Sequence, residues 1–243
     1  MDESGIHLSL VIPAYNEERR IGGNLALVEA YLSSLRQPCE VIVVDDGSTD
    51  GTLDIARKHA QGTTALRIVT YKPNRGKGYA LRQGMLAARG RLMAFSDADL
   101  SAPIDELAKL LSAIEDGYDI AIGSRAVKGA ELMIHQPRYR ELGGKLLNLA
   151  IRALAVPGIH DTQCGFKLFK GDAARSIFTR CFINGWACDV EALYLARRLG
   201  YRVAEIPVRW SHSADSKIRP FRAGFEVLRD TLRVRFHKYP DLP

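Results

Sequence analysis

Two aspartates separated by one small residue, Asp97-Ala98-Asp99, follow a short apolar run at residues 91–95. Carboxylates so spaced at a strand end can aim their oxygens into one site. A hard divalent cation such as Mg2+ or Mn2+ takes such oxygen ligands and bridges well to a diphosphate. Held there, it would act as Lewis acid and template for a departing diphosphate. An isolated acidic turn is the other reading of such a triplet, and its place in the chain decides between them.

Four further polar clusters share that place, each at the end of an apolar run: residues 15–17, 45–50, 74–77 and 124–125. The stretch 45–52, Asp-Asp-Gly-Ser-Thr-Asp-Gly-Thr, is either a loop with a helix cap from Thr49, Asp50 or Thr52, or a loop that presents Asp46 to a nucleotide base or ribose. Pro13-Ala14-Tyr15-Asn16-Glu17 either offers Tyr15 to stack on a base and Glu17 to accept from it, or is only a strand-to-helix turn. Arg75-Gly76-Lys77-Gly78 lacks the spacing of a P-loop and reads mainly as a flexible turn, with Lys77 as a candidate diphosphate contact.

The elements that must position these clusters follow from periodicity. Strands are predicted at residues 8–13, 40–44, 66–71, 91–95 and 119–122. Helices are predicted over 18–35, where Ile21, Leu25, Val28, Leu32 and Leu35 share a face, and over 52–59, 78–88 and from Pro103. The alternation implies an α/β fold with a mainly parallel sheet and helices on both faces, whose ligands bind beyond the carboxyl ends of the strands. Beyond Arg125 come a polar loop with His135, Arg138 and Arg140, an apolar helix at 142–156, a turn at 161–167, a helix near 190–199, a strand at 202–208 and a final helix. A single domain over 1–243 is expected, with a nucleotide half at 1–125 and an acceptor half at 126–243.

The motifs together resemble family-2 glycosyltransferases of the GT-A fold. The resemblance rests on residues 11–18 (Val-Ile-Pro-Ala-Tyr-Asn-Glu-Glu), Asp-Asp-Gly-Ser at 45–48, Asn-Arg-Gly-Lys-Gly at 74–78 and Asp-Ala-Asp at 97–99. Gly-Ser-Arg-Ala at 123–126, the run 161–169, residues 186–191 and Ser216-Lys217 narrow it to the dolichyl-phosphate β-glucosyltransferases, relatives of dolichyl-phosphate mannosyltransferase. The resemblance implies an inverting transfer from a nucleotide-sugar donor, UDP-glucose, to a polyprenyl phosphate acceptor, dolichyl or undecaprenyl. It implies donor contacts from Pro13, Tyr15, Glu17 and Asp46, metal ligation by Asp97 and Asp99, and phosphate contacts from Arg125, Lys167 and Lys217; Lys77 and Ala98 complete the donor-binding candidates. Where mannosyltransferase relatives carry a metal-binding Gln, this chain has Ser101. The eukaryotic relatives carry an N-terminal anchor, whereas this chain opens almost at its first strand.

A phosphate monoester has its second pKa near ~6 and is already a nucleophile at neutral pH, so the acceptor needs positive charge more than a base. Arg125, with Arg138 or Arg140, is the candidate for acceptor binding. Asp189 is the alternative, either a catalytic base for a hydroxyl acceptor or a helix cap. Asp99, Arg125 and Asp189 are therefore the catalytic candidates.

The net charge of +6 suits anionic partners: nucleic acid, phosphorylated substrates or a bilayer surface. No nucleic-acid motif accompanies the charge, and the missing G-x-G-x-x-G argues against a dinucleotide oxidoreductase. The four cysteines show no metal spacing and read as reduced thiols. With no apolar leader and no run of membrane-spanning length, the expectation is a protein peripheral to the cytoplasmic face of a membrane. Phe221, Phe225, Leu228, Leu232 and Phe236 fall on one helical face among arginines, either as a bilayer contact or as core. The rival activities are mannosyl or N-acetylhexosaminyl transfer to the same acceptor, and transfer to a saccharide hydroxyl.

Overall fold

A computed structural model describes residues 5–63, 65–134, 138–211 and 220–239. His135, Ser216 and Lys217 lie outside the described residues, as do the side chains of Arg138, Arg140 and Phe221.

The first half alternates strand and helix: β1 (Leu8–Ala14), α1 (Ile21–Ser34), β2 (Cys39–Asp45), α2 (Thr52–Gly62), β3 (Leu66–Thr70), α3 (Lys77–Ala87) and β4 (Leu92–Ser96). A 3-10 turn (Ile104–Glu106) then leads into α4 (Leu107–Glu115) and β5 (Ile120–Ser124). Pro103 stands ahead of that turn in an extended conformation, φ −57° and ψ 143°, so the helix starts later than the expectation of a Pro103 opening. The second half comprises β6 (Glu131–Ile134), α5 (Arg138–Leu154), β7 (Phe166–Lys170), α6 (Gly171–Phe178), α7 (Cys188–Arg198), β8 (Val203–Pro207), β9 (Arg209–Ser211) and α8 (Pro220–Phe236).

Seven strands form one sheet in the order β3-β2-β1-β4-β7-β5-β8, and β6 pairs with β9 apart from it. Period-two alternation along each strand feeds two cores. Leu8, Leu10 and Ile12 of β1, with Val41 and Val43 of β2, pack under α1 and α4. Val11, Ile42 and Val44 face α3, α6 and α7 on the opposite side.

β1 pairs in parallel with β2 on one side and with β4 on the other, which opens a crevice at their carboxyl ends. The only antiparallel strand in the large sheet, among the described residues, is β7, inserted between β4 and β5. Its reversed direction has a functional consequence. Phe166 pairs with Ser96, so the amino end of β7 and the loop before it arrive at the same edge as Asp97. The expected turn at 161–167 therefore ends two residues early, in a central strand.

Candidate active site

The crevice gathers residues from six strand ends. Tyr15 follows β1 and is exposed, with Pro13 half-buried just before it. The Tyr15 loop is knitted to the loop after β2: Asn16 N donates to Ser48 Oγ, Thr49 N to Asn16 Oδ1, and Glu17 N to Thr52 Oγ1 at 2.7 Å. Glu17 pairs with Arg20, whose Nη1 stands 3.8 Å from Asp99. Asp50 Oδ1 accepts from Thr52 N and Oγ1 at the start of α2, in line with the capping reading of this loop.

Asp46 is buried, and its carboxylate accepts from Asn74 Nδ2, Arg75 N and Gly76 N at 2.7–2.8 Å. It therefore shapes the loop that opens α3. Gly76 lies at φ +98°, and a Cβ there would stand 2.5 Å from Asn184 O, so only glycine permits this approach. The result presents Lys77, first residue of α3, to the crevice.

Four charges then alternate through the floor. Lys77 Nζ lies 2.7 Å from Asp97 Oδ1 and 3.5 Å from Asp189 Oδ2. Asp189 Oδ1 lies 2.5 Å from Lys167 Nζ, which also donates to Cys164 O at 2.6 Å. Burial would raise the Asp189 carboxyl, but Lys167 and then Lys77 outweigh it and hold it below the ordinary range. Burial raises Asp97, and Lys77 offsets this only in part, because Asp99 and Asp189 add like charge. Burial opposes the Lys77 charge, yet Asp97 and Asp189 together push its pKa up. Lys167 has no exposed surface. A phosphate could not reach its ammonium without dismantling the Asp189 pair. The expected phosphate contact at Lys167 is thus corrected to a buried support for Asp189.

Asp97 and Asp99 are brought to the crevice with Ala98 buried between them. Asp99 Oδ1 accepts from Ser101 N, a bond that uses the backbone of the residue standing in the Gln position. The Asp97 side chain keeps 37% of its surface open. Among the described residues, no group of three or more His, Cys, Asp or Glu gathers to cage a metal. Two carboxylates nonetheless suit Mg2+ or Mn2+, which complete their shells with phosphate oxygens and water. Both carboxylates stand just beyond the end of β4 and Asp97 is partly open to the crevice, so the residues present fit such an ion.

The loop before β7 closes the other wall. Asp97 N donates to Gly165 O, and a Cβ on Gly165 would overlap the Asp97 carboxylate. Gly165→Ala should therefore displace that carboxylate and cost about a hundredfold in transfer, as displacements near 1 Å do. Steady-state rates with thermal melts check this; an unimpaired variant would show that the position of Asp97 does not matter.

Arg125, after β5, binds Asp161 twice, Nε to Oδ2 at 2.7 Å and Nη2 to Oδ1 at 2.8 Å, while its backbone N also donates to Oδ2. Glu205 of β8 accepts from the backbone N–H of His160 and Asp161, and so presents Asp161 to Arg125. Burial disfavours both charges, but each holds the other ionised: Arg125 is pushed up and Asp161 down. Arg125 also lies 5.2 Å from the Trp210 ring centroid. A narrow cleft lined by Asp97, Ser101, Cys164, Gly165, Phe166 and Trp210 runs between the aspartates and this wall. Asp161, Gly165 and Trp210 had no role assigned from the sequence. Asp161 and Gly165 stood inside the specific run 161–169, which was the available signal; Trp210 had none.

A crevice at the β1/β4 switch, with paired aspartates at the end of β4, defines a glycosyltransferase of the GT-A fold. A solved structure of glucosyl-3-phosphoglycerate synthase from Mycobacterium tuberculosis, in complex with Mn2+, UDP-glucose and phosphoglyceric acid, shares that fold. It matches with TM-score 0.69 and 22% identity, over 96% of this chain and 79% of that one. The chain belongs to glycosyl transferase family 2, whose model matches residues 9–178. It is similar to the dolichyl-phosphate beta-glucosyltransferase of Drosophila melanogaster, 39% identical over 96% of this chain and 76% of that protein. The enzyme of the same name from Homo sapiens is 38% identical, over 94% and 74%.

Proposed function

We propose that the enzyme moves glucose from UDP-glucose onto a polyprenyl phosphate, dolichyl phosphate being the acceptor named for its relatives. The observation that carries the acceptor class is Asp189. It is buried against Lys167, which does most to lower its pKa, so it is a poor base for a sugar hydroxyl whether or not Lys77 stays beside it. An acceptor that brings its own anionic oxygen needs none. This favours phosphate over the saccharide reading.

In this account the phosphate oxygen attacks the anomeric carbon, the carbon–oxygen bond to the diphosphate breaks, and its electron pair leaves with UDP, inverting the centre. A divalent cation held by Asp97 and Asp99 would supply Lewis-acid neutralisation of the departing diphosphate. Tyr15 would stack on the base, with Pro13 and Glu17 beside it, while Asp46 holds the α3 loop. Arg125, fixed by Asp161, would receive the acceptor phosphate. Residues 1–125 then serve the donor, and 126–243 the acceptor. Calorimetry in Mn2+ tests the donor: UDP should bind at least about tenfold tighter than GDP, ~1.4 kcal/mol. Tighter GDP binding would reassign the enzyme to mannose.

The lipid end of the acceptor calls for a bilayer surface. Among the described residues, no helix is long and apolar enough to cross a membrane. Helix α8 packs inward through Val227, Asp230, Thr231 and Val234, and turns Phe225 and Phe236 outward, 71% and 78% exposed. Of the two readings of its stripe, this exposure supports bilayer contact, with Arg229, Arg233 and Arg235 beside the aromatics. Leu146 and Leu149 are exposed on α5, which packs against α8. The proposed location is peripheral to a membrane, with the cytoplasmic face as the side expected from the sequence. Phe225→Glu combined with Phe236→Glu should abolish co-sedimentation with anionic vesicles and spare turnover of a short-chain soluble acceptor. Equal sedimentation of variant and wild type would remove this face from the account.

A further inference from the structure

The lysines on either side of Asp189 are not equivalent. Lys167 is sealed in a central strand, with its ammonium held by Asp189 and a carbonyl. Lys77 keeps 13% of its side chain exposed, beside the partly open Asp97, and sits on the first turn of α3. Its ammonium occupies Asp97 Oδ1, one of the oxygens that a divalent cation would take. The two cations compete for one carboxylate, and at such separations their repulsion is large in a partly dry crevice.

Lys77 has a flexible stem and can leave; Lys167 cannot. If Lys77 leaves, Asp189 stays neutralised by Lys167, so its departure strands no buried carboxylate there. That explains why one buried aspartate faces two lysines. The helix N-terminus carrying Lys77 is also favourable ground for an anion.

We propose that Lys77 is an exchangeable counter-ion: it holds Asp97 in the metal-free enzyme, and an arriving divalent cation displaces its ammonium onto the diphosphate of the donor. Metal and nucleotide then bind synergistically, each removing part of the other's cost, and the coupling is reciprocal. Lys77 is a donor-binding residue only in the second state. The inference rests on the metal reading given above.

The test is Mn2+ binding to the enzyme without substrates, by calorimetry or the paramagnetic resonance of free Mn2+, for wild type and Lys77→Met. The variant should bind Mn2+ alone about tenfold more tightly, whereas its UDP affinity at saturating Mn2+ should fall about tenfold. Mn2+ affinity that is unchanged or weaker in a folded variant overturns the exchange. A measurement on wild type guards against a variant that fails to fold: acylation of Lys77, mapped by mass spectrometry, should rise when Mn2+ is added and fall again with UDP. Labelling indifferent to Mn2+ likewise overturns it. Wild type that binds no Mn2+ even with UDP removes the metal reading and this inference with it. Normal synergistic binding that Lys77→Met leaves untouched removes the inference alone.

Discussion

Asp99→Asn is expected to leave the fold intact and to lower transfer by at least about a thousandfold, ~4 kcal/mol of barrier. Asp99 is a cleaner probe than its neighbour. Asp97 is bonded to Lys77 and packed over Gly165, so substitution there disturbs the whole charge row. Asp99 accepts one backbone N–H, from Ser101, through Oδ1, and an asparagine keeps that oxygen. What the amide loses is anionic charge toward a metal, together with a 3.8 Å contact to Arg20, which Glu17 continues to hold. The expected signature is an unshifted melt, lost Mn2+ binding in the presence of UDP, and lost turnover. A variant retaining a tenth or more of wild-type activity would place the metal elsewhere.

Arg125→Ala should remove about 2–4 kcal/mol of transition-state stabilisation, as loss of a preorganised charge does. The structure adds a complication. Asp161 is buried, and its carboxylate is matched by this guanidinium, so the same substitution strands a charge and costs about 3 kcal/mol of stability. Combining Arg125→Met with Asp161→Asn separates the effects. The double variant should regain most of the melting temperature and none of the activity. Recovery of both would make Arg125 a structural residue only. Asp189→Asn is not a clean test of base-free transfer, because it would leave Lys167 buried without its partner.

The pattern of short apolar runs was enough to find β1 to β5 and the polar clusters at their ends, because β1, β2, β4 and β5 are buried almost throughout and α1 and α4 each bury one apolar face. β7 escaped for a physical reason. Phe-Lys-Leu-Phe-Lys carries a lysine where a central strand usually has an apolar side chain, and the residue that makes Lys167 tolerable, Asp189, lies 22 positions away on α7. The Arg125–Asp161 pair spans 36 positions and was invisible for the same reason. Local spacing located the aspartates at 97 and 99, but the need for glycine at 165 came only from the antiparallel strand that brings it against Asp97. The aromatic stripe on α8 was legible as a stripe; whether it faced inward depended on Val227 and Val234, which the packing buries instead.

The central claim is transfer of glucose from UDP-glucose to a polyprenyl phosphate. The most direct test incubates the enzyme with Mn2+, a panel of UDP- and GDP-sugars and a short polyprenyl phosphate, and identifies the product by mass spectrometry. The account predicts one product, a hexosyl phosphopolyprenol formed from UDP-glucose, and none when the acceptor is the free polyprenol. Product formed on a saccharide hydroxyl, or from GDP-mannose in preference to UDP-glucose, would contradict it.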